Sequence, residues 1–285
     1  LFTRKMLVIH AILGFIIIAS PNFYGKLSHN QLFIWLPWIM AFSRCYDVWS
    51  IDALWMKKKN KPFDISPKSD YGLPVKIIWL HFGIIYFFAG VYKLWSAGLE
   101  WALSDSMVNQ ILVEWVQHYD WKPAIRIDHY PNLVKFGGFM VILFELAFPF
   151  LLFKFRHRII AIIGGLALHR NAGYFMKIGF EYLQKMYVFF VNWDWVIHKI
   201  LIIKRKTSSN IKKTDIAKSE RELYFEDVLA HKNKTKPLYY GKSVLYIGMT
   251  IFSLNTICGM FAIHSYPFSA YPSYADVVAG EIELL

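Results

Sequence analysis

The apolar positions of this chain gather in runs long enough to cross a bilayer, which takes about 17 residues or more. The clearest is Ile77-Ile78-Trp79-Leu80-His81-Phe82-Gly83-Ile84-Ile85-Tyr86-Phe87-Phe88-Ala89-Gly90-Val91-Tyr92, which ends at Lys93. Seven such runs predict membrane helices over 6–21, 31–55, 75–95, 133–153, 158–176, 183–203 and 243–264. The expected fold is therefore all-α, a polytopic helical bundle of about seven transmembrane helices forming one domain over 1–285.

The polar residues between the runs sort by charge. Arg4 and Lys5 precede the first run, Lys57 to Lys76 follow the second, Lys154 to Arg158 follow the fourth, and Lys199 to Lys242 surround a long loop after the sixth. Most of the 32 basic residues thus fall on one side of the predicted bundle. The positive-inside rule then predicts a cytoplasmic N-terminus and an outer C-terminus, in a bacterial inner membrane or a plasma membrane. Residues 204–241 form the basic cytoplasmic loop, attracted to anionic lipid. Residues 96–132 form the outer loop, where Met107, Val108, Ile111 and Leu112 at helical spacing predict interfacial amphipathic helices among Trp95, Trp101, Trp115 and Trp121.

Composition agrees with that class. Of 285 residues, 56% are hydrophobic and 18% charged, against about 25% charged in a soluble domain. The net charge of +12 fits membrane topology, so nucleic acid is not an expected partner. Cys45 and Cys258 lie in apolar stretches without a metal-binding pattern, and no metal is expected. Phosphate-cradling, zinc-protease and nucleophile-elbow motifs are all absent from the sequence.

The candidate chemistry lies in ionisable residues within the runs. Lys93 at the end of a span costs about 3 kcal/mol unless it snorkels, pairs or gives up its proton. The predicted topology places His29, Lys93 and His169 at similar depth below the outer surface, which points to one polar pocket. Arg170 and Asn171 extend the polar cluster around His169. Glu145 is a further intramembrane ionisable group, with Arg44 as one candidate partner; Arg44 and Asp47 also have the i,i+3 spacing of a local pair. A relay through Lys93, His169 and Glu145 in a transporter is disfavoured, because alternating access favours a midplane site.

The segment from Ile84 to Leu94, followed by Trp101 and Ser106-Met107, resembles the vitamin K-dependent gamma-glutamyl carboxylase family and the related HTTM membrane domain. Further resemblances follow in order: Ser28-His29-Asn30, Trp49-Ser50-Ile51-Asp52-Ala53-Leu54 with its basic run, Glu145 within Phe144-Glu145-Leu146-Ala147, His169, and Tyr266-Pro267-Phe268-Ser269-Ala270-Tyr271-Pro272. The resemblance covers about residues 25–275. Two positions depart from the pattern: Ser28 stands where the family has asparagine, and Tyr92 where a second basic residue is common.

The resemblance implies an enzyme of the carbon–carbon lyase class that uses reduced vitamin K or another isoprenoid quinone. Lys93 would be the base that deprotonates the hydroquinone, with His29 and His169 supporting it in the pocket. The hydroquinone anion reacts with oxygen, and the resulting alkoxide removes a gamma proton from a peptide glutamate for capture of carbon dioxide. Burial lowers a lysine pKa, in keeping with that role. The implied partners are membrane lipid and a secreted peptide or a separate extracytoplasmic subunit. HTTM members linked to toxin maturation imply the alternative, a non-catalytic membrane factor assisting maturation of a secreted peptide.

Overall fold

The computed structural model describes residues 2–22, 31–45, 47, 50–59, 71–118, 123–208 and 242–261, and among them there is no strand. The helices are α1 (Phe2–Asn22), α2 (Gln31–Phe42), α3 (Ile51–Lys58), α4 (Gly72–Ala97), α5 (Glu100–Leu103), α6 (Ser106–Gln117), α7 (Pro131–Leu151), α8 (Phe155–Met176), α9 (Glu181–Met186), α10 (Trp193–Ser208) and α11 (Lys242–Met260). Short 3₁₀ turns cover Ile127–His129 and Tyr187–Phe190.

Three described helices are long and apolar enough to cross a membrane: Gly72–Ala97, Pro131–Leu151 and Arg156–Met176. Their lengths exceed the roughly 20 residues that a 30 Å hydrocarbon core requires. Their outward faces are apolar too. Phe136, Leu143 and Phe150 on α7, and Ile159, Ile160 and Ile163 on α8, are exposed. Contiguous apolar exposure on this scale is foreign to a water-soluble monomer and compatible with lipid.

Two of the expected spans are not single helices. The run over 31–55 breaks after Phe42, where the Ser43 hydroxyl donates to the Met40 carbonyl and accepts the Cys45 N–H. Asp47 then binds Arg44 at 2.5 Å and the Tyr71 hydroxyl at 2.8 Å. Local hydrogen bonding by these side chains replaces helical bonds. The run over 183–203 breaks at Val191, whose backbone is extended, and Asn192, whose side-chain oxygen accepts the Trp195 N–H and starts α10. The helix α2 spans only about 18 Å at 1.5 Å per residue, short of a full crossing. The hydropathy sum registered both segments but not the polar caps inside them.

The principal packing is that of α4 along α7. Gly83 faces Pro149, Gly90 faces Glu145 and Leu146, and Gly138 of α7 faces Ala102 beyond the end of α4. That order makes the two helices antiparallel. The Asp52 carboxylate accepts the backbone N–H groups of Phe2 and Thr3 at 2.9 and 2.8 Å, satisfying orphan donors at the start of α1. It also holds the start of α3 against the end of α1 that carries Arg4 and Lys5.

An aromatic core holds α4, α7 and the 187–190 turn together. Phe82, Phe148 and Phe190 are fully buried, with Phe82 edge-on to Phe190 at 4.9 Å between ring centroids. In hydrocarbon the hydrophobic effect gives little drive between helices, so this close packing carries the association. The predicted helices of the 96–132 loop are present as α5 and α6. Their apolar face turns inward: Ile111 is buried against Val134 and Met176.

Candidate functional site

Lys93 sits one turn before the end of α4, and Glu145 sits in the last two turns of α7. The crossing of the two helices brings them together because Gly90 has no side chain: a Cβ there would lie 3.1 Å from both Glu145 Cβ and Leu146 Cγ. The Lys93 Nζ donates to both Glu145 oxygens at 2.9 Å. Both residues are buried, at 5% and 6% exposure. The Trp101 ring lies 5.1 Å from the ammonium, adding a cation–π contact. A buried charge in a membrane helix is tolerable only when compensated in this way.

The pair borders a half-open cavity of about 530 Å³ lined by α4, α7 and α8, with α6 along one side. Its wall is mainly apolar and includes the small residues Ala89, Gly137 and Ala172. A cleft of this size and lining is typical of small-molecule sites. Among the described residues, no three His, Cys, Asp or Glu side chains converge to hold a metal ion.

A second polar group lines the same cavity. The Tyr86 hydroxyl is hydrogen-bonded to His169 Nε2 and to the Tyr187 hydroxyl. The Tyr86 ring stacks on Phe148 at 4.0 Å, and His169 lies against Phe180 at 4.7 Å. The Gly164-Gly165 pair of α8 admits Phe144 and the Tyr187 hydroxyl. A Cβ on Gly165 would lie 1.8 Å from that oxygen.

Helix α6 is latched at its far end. The Trp115 indole N–H of α6 donates to the Phe175 carbonyl of α8 at 2.6 Å, and the Arg126 guanidinium lies 5.2 Å from the Trp115 ring. Arg126 forms a two-pronged pair with Asp128 at 2.9 and 2.6 Å. The guanidinium holds the Asp128 carboxyl below the usual carboxylate range, and the carboxylate raises Arg126 in turn. On α6 itself, burial pushes the Glu114 carboxyl up.

Of the residues singled out in the sequence, Lys93 and His169 both line this one cavity, and Glu145 joins Lys93 there. His29 lies outside the described residues. Arg44 is local, paired with Asp47 and 5.7 Å from the Tyr71 ring, so it is not the partner of Glu145. Arg170 is exposed, although its neighbour Asn171 lines the cavity. Tyr86 and Tyr187 stand within apolar runs and are not among the residues singled out. Tyr86 is seven residues from Lys93, hence on the same helical face, and that spacing was the available signal. Comparison of the chain with protein-family models, with curated proteins and with solved structures found no match.

Proposed function

We propose that this protein is a membrane-embedded enzyme acting on a reduced isoprenoid quinone, of the carboxylase-like kind to which its sequence bears a resemblance. The observation that carries the reading is the buried Lys93–Glu145 pair on the wall of an apolar cavity of about 530 Å³. The cavity offers an apolar lining for a ring and the start of a lipid tail, and one ionic group for a hydroxyl. When bound, the quinol supplies the acidic hydroxyl and, after reaction with oxygen, the strong base for carboxylation of a peptide glutamate.

The chain's own residues act as a unit. Lys93 is held by a carboxylate, so the pair, not a free amine, is the proton acceptor. With a quinol bound, Glu145 would take the hydroxyl proton, and the Lys93 ammonium would face the oxygen that gave it up. Charge is conserved within the site, and such compensation has most effect beside an apolar wall. The orientation follows the basic residues, with the end of α1 bearing Arg4 and Lys5 in the cytoplasm.

The test supplies purified protein with reduced vitamin K, labelled bicarbonate and a glutamate-containing peptide, and follows quinone epoxide and fixed label separately. Epoxide formed by wild type and lost in both Lys93→Ala and Glu145→Gln is the expected result. Wild type as inert as the variants, beside an active carboxylase control, overturns the reading. A second reading, a non-catalytic factor for peptide maturation in which the pair only fastens α4 to α7, draws support from the saturation of both Glu145 oxygens by Lys93. It predicts no quinol turnover and no quinol binding.

A further inference from the structure

The proposed reaction uses Lys93 and Glu145 and leaves Tyr86 and His169, on the same cavity wall, without a part. Tyr86 and Lys93 are separated by seven residues of α4, a rise of roughly 10 Å with only about 20° of rotation. Both line the cavity, with Ala89 on the wall between them. When the Tyr86 O–H points at either partner, the hydroxyl gives one hydrogen bond and takes the other in its links to His169 and Tyr187. An oxygen with two lone pairs then retains one acceptor position. The ring stack on Phe148 and the hydroxyl of Tyr187 hold that oxygen in place without the ligand.

We propose that Tyr86, fixed by Tyr187 and His169, is a second oxygen-recognition point of the cavity, so that its ligand carries two hydroxyls on opposite edges of a ring system. This rests on the reading of the cavity as a quinol site and adds the feature by which a quinol is told from a single phenol. The first hydroxyl meets Lys93–Glu145 and the second donates to Tyr86. A rise of roughly 10 Å has room for an aromatic ring hydrogen-bonded at both ends. Tyr86 positions the ring and takes no proton from it.

Binding of two probes decides the matter: an isoprenyl naphthohydroquinone and the isoprenyl naphthol that lacks the second hydroxyl. Both are titrated calorimetrically, without oxygen, into the full chain in detergent. Wild type should bind the hydroquinone about tenfold more tightly than the naphthol, the size of one well-placed hydrogen bond. Tyr86→Phe keeps the stack on Phe148 and should bind both probes alike. Lys93→Met paired with Glu145→Leu should weaken both probes and keep their ratio. Equal binding of the two probes by wild type, or a ratio unchanged in Tyr86→Phe, overturns the second recognition point and leaves the quinol site standing. Failure of wild type to bind either probe overturns both.

Discussion

Lys93 and Glu145 are 52 residues apart in the chain and meet in a two-pronged contact at 2.9 Å, buried between two helices apolar enough to cross a membrane. Neither side chain is tolerable alone at that depth, and each is the reason that the other is tolerated. The pair is therefore both the strongest polar fastening of α4 to α7 and the only ionic contact on the cavity wall among the described residues.

Removing one partner should cost more than removing both. Lys93→Met or Glu145→Leu alone leaves an uncompensated buried charge, a loss of about 3–5 kcal/mol in measured cases. The double variant should recover most of that. Thermal unfolding in detergent, followed by tryptophan fluorescence, gives the order: wild type and double variant above either single. Additive losses would mean that the contact carries no coupling.

Glu145→Gln separates proton transfer from packing. The amide keeps the shape and a hydrogen-bond acceptor for Lys93 but cannot take a proton at neutral pH. Quinol turnover should fall by about 10²–10⁴, the usual contribution of a positioned base. Quinol affinity should change far less, so kcat drops while Kd holds. Turnover near the wild-type rate would move the proton acceptor elsewhere.

Gly165→Ala tests the Tyr187–Tyr86–His169 arrangement without substituting any of the three. The new methyl would fall 1.8 Å from the Tyr187 hydroxyl, and a ring cannot fold away as a flexible chain can. Overpacking of this kind costs about 1–3 kcal/mol. The variant should show a lowered melting temperature and, in the paired-probe titration, a reduced preference for the two-hydroxyl probe.

Exposed and buried tryptophans should answer differently to lipid. Trp95 is 84% exposed and follows Lys93 by two residues, whereas Trp101 is 2% exposed. In nanodiscs of brominated lipid, a variant retaining only Trp95 should be strongly quenched and one retaining only Trp101 should not. The reverse order would place the end of α4 away from the bilayer.

The α6 latch supplies a pH dependence. The folded carboxyl of Asp128 is held below its ordinary value by Arg126, so its contribution is present above the unfolded pKa of about 3.9 and is lost as pH falls through the lower folded value. The pair is near the surface, where solvent screening keeps the effect small. Asp128→Asn should be slightly less stable than wild type at pH 7, and the gap should close below about pH 4. Melting temperatures over that range check it; a gap that persists in acid would show that packing, not charge, holds the latch.

Hydropathy is a local sum, and what it measures was legible in the chain by itself. The sequence determined the all-helical class, the long apolar helices α4, α7 and α8 among the seven runs expected, α5 and α6 in the loop after α4, and the place of Lys93 near the end of an apolar run. It also carried signals that a window average smooths away, such as Asn192 capping α10 and the Ser43–Asp47 turn that stops α2. Tertiary structure alone decided which charges meet. Glu145 had Arg44 as a plausible partner until the crossing at Gly90 placed it against Lys93, because an ion pair depends on a few ångströms set by distant helices. It alone turned Tyr86, Tyr187 and His169 into one hydrogen-bonded group. A tyrosine in an apolar run reads as packing until another element brings a partner within reach of its oxygen.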